Sequence, residues 1–432
     1  MTDGERLAKN RQISLSKKET LERHSKMSCK SFTIKVQKNK LNLKQKEALQ
    51  RIFLEQKWYK NYILNWNQLD PENNRISKFD TKLCDITHKD KDMNDVPVKI
   101  QYLGTSQRDA LKTRILSNIK ALSSLKKKGY QKPGRIKFSK EETEIGLKQY
   151  GITHKIISSK RVKVQGIPGK LPVNGLGQIL SLSEVEIANA RLLQKVGDYF
   201  VQFVVFVPKV VKEKKDEIIG IDFGCSTSFT FSNGEKIDVK VQESEGLKKL
   251  QKNLSRKQKS SKNFYKTRLK IQRKYRKQNN IKEDIANKLV AELSQYRTVV
   301  IQDEQLSNWQ KTGHGRSVQH SVLGRVKTKL RKPDNLYMLS KWDPTTQLCP
   351  VCGALTKHTP DKRTFKCSMC GYEADRDINA AKNMALFYKQ DLEKSTSGTE
   401  EINACGDGST AFRTEKQLLS EKQEAPGSLG QE

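Results

Sequence analysis

Ile218-Ile219-Gly220-Ile221-Asp222-Phe223-Gly224 is the stretch on which the fold turns. Three isoleucines and a glycine without a charge among them make a strand buried along its length, and that strand ends in a carboxylate. Thr298–Ile301 is a second run of the same kind and leads into Gln302-Asp303-Glu304. Ser226–Phe231 and Lys236–Val241 read as antiparallel neighbours of the first strand, turned by Ser232-Asn233-Gly234. A last strand is expected over Leu336–Lys341. Helices are expected over Gly246–Gln278, Ile281–Gln295 and Ile378–Tyr388.

The chain ahead of this region has a different texture. Residues 1–30 are polar and of mixed charge and read as a flexible N-terminus. A strand is expected over Ser31–Gln37, where Phe32, Ile34 and Val36 alternate with polar neighbours. One helix is expected from Leu43 to Trp66, and another from Ser106, capped with help from Asp109, to near Gly129. Residues 67–97 between them read as loop. From Gly129 to Pro208 short strands and Gly/Pro turns take over. Arg161–Gln165 and Tyr199–Val207 are the clearest, the latter so evenly apolar that burial on both faces is expected. Together with the first strand they suggest a small β-barrel. Residues 31–214 are therefore taken as one recognition region with helices inserted into β-structure. Trp58, Tyr59 and Trp66 fall at helical spacing and read as core.

Eight cysteines divide into two groups. Cys349-Pro-Val-Cys352 and Cys367-Ser-Met-Cys370 stand fourteen residues apart, and each pair is followed by a glycine, Gly353 or Gly371. Two such knuckles deliver four thiolates to one tetrahedral zinc ion, a structural site with no open position. The module is placed at 344–373, with His358 on its surface. Cys29, Cys84, Cys225 and Cys405 are scattered and read as free thiols.

Three acids stand where strands or turns end: Asp222, Glu304 after Asp303, and Asp377 in Asp375-Arg376-Asp377-Ile378-Asn379-Ala380-Ala381. Hard carboxylate oxygens suit Mg²⁺, and a pair of such ions is what phosphodiester hydrolysis uses. Singly, each acid also reads as a turn or capping residue, and Asp375 competes with Asp377 for the ligand role.

The composition names a polyanion as partner. Lys and Arg number 83 against 48 Asp and Glu, a net charge of +35. Leu247–Gln278 holds fourteen Lys/Arg and no acid, with Phe264 and Tyr275 interleaved. An all-positive helix repels itself unless phosphates neutralise it. Lys266, Arg268, Lys270, Arg273 and Lys274 are the expected phosphate contacts. Lys311–Lys329, with His314, Arg316, His320 and Arg325, is a second basic stretch. Residues 390–432 reverse the sign, with nine acids against four bases, and read as a disordered acidic tail. No apolar run is long enough to span a membrane, and the N-terminus lacks the apolar core of a signal peptide, so a cytoplasmic address is expected.

Gly220-Ile221-Asp222-Phe223-Gly224, the acid after the second strand, the paired CxxC motifs and Asp375-Arg376-Asp377-Ile378-Asn379-Ala380-Ala381-Lys382-Asn383 together resemble the TnpB (OrfB-type) proteins of insertion sequences and the related compact type V CRISPR effectors. The likeness is specific over Glu217–Tyr388 and only a matter of layout before it. It implies a multidomain α+β chain: an N-terminal wedge β-barrel with an inserted helical recognition lobe, then an RNase H-like α/β RuvC domain (215–343 and 374–389) interrupted by a four-cysteine zinc ribbon. It implies an RNA-guided DNA endonuclease with structural zinc and catalytic magnesium, bound to a guide RNA and a double-stranded DNA target, as a monomer or as a homodimer on the RNA. By motif Asp222, Glu304 and Asp377 are its metal ligands. Many relatives have Glu-Asp-Leu after the second strand. Here the run is Gln302-Asp303-Glu304-Gln305-Leu306, so strand phase sets Gln302 against Glu304, and Glu304 is chosen because an amide ligates poorly. The rival readings are a nuclease-inactive RNA-guided DNA binder, a zinc-ribbon nucleic-acid-binding protein without a guide, and a strand-transferring transposase.

Overall fold

The structure is a computed structural model that describes residues 3–396 apart from 91, 93, 132–133, 211–212, 310, 312–314, 358 and 360–361. The chain divides into two compact units, residues 1–211 with 253–273, and residues 212–252 with those from 274 onward. No helix among the described residues is long and apolar enough to cross a membrane.

The first unit begins with a helix where the sequence suggests a flexible arm: α1 spans Asp3–Ser25. Its last turn is fastened to β8 (Glu186–Lys195), where Glu186 pairs with Arg23 at 3.1 Å and His24 at 3.0 Å, and the His24 ring stacks on Phe206. Strand β1 (Met27–Val36) follows without a break and starts four residues ahead of the expected strand. Helix α2 (Leu43–Leu69) is started by Asn42, whose side chain accepts from Gln45 N at 2.8 Å. Its inner face buries Leu49, Ile52, Phe53, Trp58, Tyr59 and Ile63, so the first two aromatics are core as read. Trp66 packs at the margin of that core.

The stretch 67–97, read as loop, contains a hairpin, β2 (Asp85–Lys89) with β3 (Asp95–Lys99). Helix α3 (Thr105–Lys127) starts from Gly104 and not from Ser106. Gly104 N donates to Gln107 Oε1 at 2.8 Å, so the capping partner is Gln107, not Asp109. Glu55, fully buried, explains how α2 and the entry to α3 stay together. It accepts from the backbone N–H groups of Gln101 (3.2 Å), Tyr102 (2.8 Å) and Leu103 (2.9 Å). A buried carboxylate is tolerable only with such partners.

The remaining strands of this unit are β4 (Glu144–Leu147), β5 (His154–Ser158), β6 (Arg161–Val164), β7 (Leu171–Asn174), β8 and β9 (Asp198–Pro208), with the single turn α4 (Gly177–Leu180) after β7. They join β1 in one antiparallel sheet ordered β4-β8-β9-β1-β7-β6-β5. No ladder joins β4 to β5 among the described residues, so the expected barrel is present as a seven-stranded sheet. Strand β9 corrects one reading. Val201, Phe203, Val205 and Val207 are buried while their neighbours are half-buried, the alternation of an antiparallel strand with one better-covered face.

In the second unit β10 (Lys215–Phe223) lies between β11 (Phe229–Phe231), antiparallel, and β13 (Tyr296–Gln302), parallel. The five-stranded order is β12-β11-β10-β13-β14, with β12 (Lys236–Ile237) at one edge and β14 (Leu336–Leu339) at the other. The turn at Ser232-Asn233-Gly234 is as expected, with Gly234 at φ +92° where only glycine is at ease. Val299, Val300 and Ile301 are fully buried because the sheet is covered on both faces there. Each such side chain contributes about 1.5–3 kcal/mol of burial.

The basic helical region breaks in a different place from the expected one. Helix α5 (Glu245–Ser255) stops before Arg256, and α6 runs unbroken over Lys262–Leu293, through Asn279 and Asn280. Ser260 sits at φ +70° and Ser261 Oγ accepts from Phe264 N at 3.1 Å, so the serine pair starts the second helix. Short turns α7 (Leu306–Trp309) and α8 (Gly315–His320) lead to α9 (Leu323–Leu330). A two-stranded ladder, β15 (Thr364–Lys366) with β16 (Glu373–Asp375), carries the second cysteine pair and runs directly into α10 (Arg376–Thr396). The last helix therefore continues past Tyr388 into the segment read as a disordered tail. Residues 397–432, with Cys405, lie outside the described residues, as do His314 and His358.

Candidate active site

Parallel strands end on one edge of a sheet, and the acids stand at that edge. Asp222 is the penultimate residue of β10, opposite Thr230, and Glu304 lies two residues beyond β13. Asp377 is the second residue of α10. What lets α10 reach β10 is Gly220. A β-carbon there would fall inside the carbonyl oxygen of Ala381, so only glycine allows strand and helix to lie this close. The two alanines that face the strand, Ala380 and Ala381, are fully buried.

Asp222 feels both of the other carboxylates. Burial, then the charges of Glu304 and Asp377, push the Asp222 carboxyl well above the ordinary range, and Arg376 opposes them only in part. Burial raises Glu304 to about 7, with the Lys327 ammonium pulling the other way. Glu304 Oε2 is buried with no hydrogen-bond partner. Asp377 is flanked by cations, Arg376 at 3.4 Å and Arg363 at 3.8 Å. Arg363 also donates to Ser226 Oγ at 3.1 Å, so a side chain from the cysteine module bridges the start of α10 and the loop after β10. The acids do not converge as tightly as the thiols do. Among the described residues only the four cysteines bring all their ligand atoms within 4.8 Å of one another.

Their neighbours are engaged otherwise. Asp303 accepts from Lys327 Nζ at 2.9 Å, and the same ammonium donates to Glu304 O at 2.6 Å. Asp375 Oδ1 accepts from the backbone N–H groups of Asp377 (3.0 Å) and Ile378 (3.1 Å), the cap of α10, and its other oxygen pairs with Lys236 at 2.7 Å. Gln302 is turned to the loop after β14, where it donates to Ser340 O at 3.0 Å and Asp343 O at 2.9 Å. Glu304 is the acid of this run left without a cation on its carboxylate.

The four thiols form two facing pairs, Cys349 Sγ to Cys370 Sγ at 3.6 Å and Cys352 Sγ to Cys367 Sγ at 3.5 Å. Zn–S bonds of about 2.3 Å at tetrahedral angles put sulfurs about 3.8 Å apart, so the set is sized for an ion such as zinc. The knuckles repeat one geometry. Cys349 O accepts from Gly353 N at 3.0 Å and Cys367 O from Gly371 N at 3.2 Å, and both glycines have positive φ, +73° and +75°. Backbone N–H groups of Cys370 and Met369 pull the Cys367 thiol below its usual range, while burial and the neighbouring thiols push Cys352 and Cys370 above theirs.

Asn379 and Asn383 are buried polar positions that the sequence alone did not single out. Both are fully buried on α10, one turn apart. Asn379 donates to Leu348 O at 3.0 Å, and Asn383 to Leu348 O and Thr345 O, both at 2.7 Å. They fasten the helix bearing Asp377 to the first knuckle. Their i,i+4 spacing was the available signal.

Of the expected phosphate contacts, Lys266, Arg268, Lys270, Arg273 and Lys274 are all exposed along α6, and Arg316 is exposed on α8. Arg325 is not free. It pairs with Glu283 at 2.8 Å and Asn279 at 2.9 Å and ties α9 to α6.

Residues 202–310 match the family model OrfB_IS605, described as "Probable transposase". Residues 327–384 match the Cas12f1-like TNB domain. The first segment holds Asp222 and Glu304, and the second holds the four thiols and Asp377. The chain is similar to the OrfB-type transposon proteins. A protein of Streptomyces pristinaespiralis, provisionally named an RNA-guided DNA endonuclease, is 31% identical to the OrfB-like chain over 201 residues, 44% of this chain and 47% of the relative. InsQ of Escherichia coli K12, with the same provisional name, is 28% identical over 192 residues, 39% of this chain and 48% of its own. The OrfB-like chain thus spans about half the length of the curated relatives it matches. A solved structure described as a Cas12f1–sgRNA–target DNA complex aligns over 79% of the chain and 81% of its own, at 14% identity and a TM-score of 0.44.

Proposed function

We propose that the protein is an RNA-guided DNA endonuclease whose phosphodiester-cleaving site is built from Asp222, Glu304 and Asp377. The observation that carries this is the crowding of ionisable acids: burial and the charges of Glu304 and Asp377 push the Asp222 carboxyl well above the ordinary range, and Glu304 has a buried oxygen with no hydrogen-bond partner. Such a set is stable in its charged form only around cations. Hard oxygen donors at the end of parallel strands fit Mg²⁺, and Asp222, Glu304 and Asp377 would hold it. Bound there, magnesium supplies Lewis acidity for phosphodiester hydrolysis. The neighbouring residues keep the set clear. Lys327 takes Asp303 out of contention and holds the Glu304 backbone, Asp375 is occupied as a helix cap, and Arg363 and Arg376 balance Asp377.

The guide and the DNA target are read from the relatives' names and from charge. The five exposed cations of α6 are proposed as phosphate contacts, and residues 31–214 as the recognition region. The four thiols are proposed as a structural zinc ribbon over 344–373, set within a RuvC-like domain of residues 215–343 and 374–389.

The test is purification with co-expressed flanking sequence, sequencing of the bound RNA and a plasmid-cleavage assay in Mg²⁺. Asp222→Ala, Glu304→Ala and Asp377→Ala should each lose cleavage by about a hundredfold or more while keeping the RNA. Full cleavage by any one variant would mean that acid is not a ligand. Protein that carries no RNA would sink the guided reading.

A further inference from the structure

Trp342 is 78% exposed, more than the exposed aromatics Tyr130, Tyr265 and Phe138. It lies in the loop 340–345 that follows β14, and that loop is pinned. Gln302, buried, donates to Ser340 O and Asp343 O and accepts from Thr345 Oγ1 at 3.1 Å. Asn383, on α10, donates to Thr345 O at 2.7 Å, and Trp342 N donates to Ser340 Oγ at 3.3 Å. Gln302 stands two residues before Glu304, and Asn383 is on the helix that carries Asp377. The indole is therefore displayed by a loop fastened to the two elements that present the acids.

Position and charge identify what the ring receives. β10, β13 and β14 are parallel, so Asp222, Glu304 and the Trp342 loop all stand at the strands' carboxyl-terminal edge, where open α/β sheets take their ligands. The Lys341 ammonium lies 4.4 Å from the ring centroid, a cation set against an aromatic surface. An aromatic face with a positive charge beside it, on a chain of net charge +35, complements an unstacked nucleobase and its phosphate. A base inside a duplex has no free face to offer.

We infer that Trp342 is a stacking platform for a base of single-stranded DNA lying next to the phosphate presented to the acids. The identity of that strand as substrate rests on the nuclease reading. The stacking itself does not.

The test uses the full chain, freed of RNA, with a twenty-nucleotide oligothymidylate and an abasic oligomer of equal length. Oligothymidylate should quench the protein's tryptophan fluorescence. Trp342→Ala should bind it about tenfold more weakly and bind the abasic oligomer within about twofold of wild type, and Trp342→Phe should keep most of the affinity. Equal losses on both oligomers would assign the effect to backbone charge or to folding and overturn the inference. So would an unchanged affinity in Trp342→Ala, or an indole that acrylamide cannot reach in the free protein because a second copy covers it. If the stacking pattern appears in protein that never cuts, the nuclease reading fails and this one stands. If the protein cuts and Trp342→Ala binds oligothymidylate normally, only this one fails.

Discussion

An acid whose carboxyl is raised in the folded chain makes folding proton-linked, and the sign follows from which state holds the proton. Glu304 titrates near 7 when folded and near 4.5 when unfolded, so between those values the folded state binds more protons. Stability therefore falls as pH rises from about 4.5 to 7, by about 3 kcal/mol at most for this group. Asp222 shifts in the same direction and adds to the slope. Metal-free protein should melt lower at pH 8 than at pH 5.5, and Glu304→Gln should flatten that difference. Added Mg²⁺ should raise the melting temperature more at pH 8, where Glu304 is ionised, than at pH 5.5. A melting temperature that climbs with pH in chelator would contradict the crowded-acid description. At this scale the sequence marks the acids that stand where strands end and is silent about their surroundings. Asp303 and Glu304 are equivalent on paper. What separates them is Lys327, which approaches from α9, twenty-three residues away in the chain.

At the scale of elements, the contact between β10 and α10 sets the site. Gly220 reads in the sequence as one apolar position in a strand, yet its lack of a side chain is what admits the Ala381 carbonyl. Gly220→Ala should cost roughly 2–4 kcal/mol in a urea melt, since neither backbone can yield without moving Asp222 or Asp377. A variant as stable as wild type would mean the helix can shift freely. The apolar strands β10 and β13 and the last helix were legible because long apolar runs and a capped start are local signals, whereas the polar hairpin β2–β3 carried no such run. The helix break at Arg256–Ser261 and the α1 helix were not. The first depends on a serine pair in a special backbone conformation, and the second on a clip to Glu186 far away in sequence. The cysteine knuckles were read fully, because four ligands and two glycines at fixed spacing leave little for tertiary structure to decide.

For the molecule as a whole, charge is the property that reaches furthest. A net charge of +35 attracts any polyanion, so affinity alone would say little about guided recognition, and salt dependence would say more. Reversing Lys266, Arg268, Lys270, Arg273 and Lys274 together should weaken nucleic-acid binding for every sequence alike. It should also reduce the slope of log K against log salt by roughly one for each phosphate that is no longer neutralised. An unchanged slope would remove α6 from the interface. Arg325 should matter less to that slope, because Glu283 already claims it.

The asparagine pair on α10 has a consequence for how such proteins can be recombined. Asn379 and Asn383 hook the carbonyls of Thr345 and Leu348, so the four-cysteine module is moored to the helix that follows it as well as spliced into the chain. A cysteine module transplanted from a relative must offer carbonyls at those two heights, or else arrive with its own helix as a single cassette.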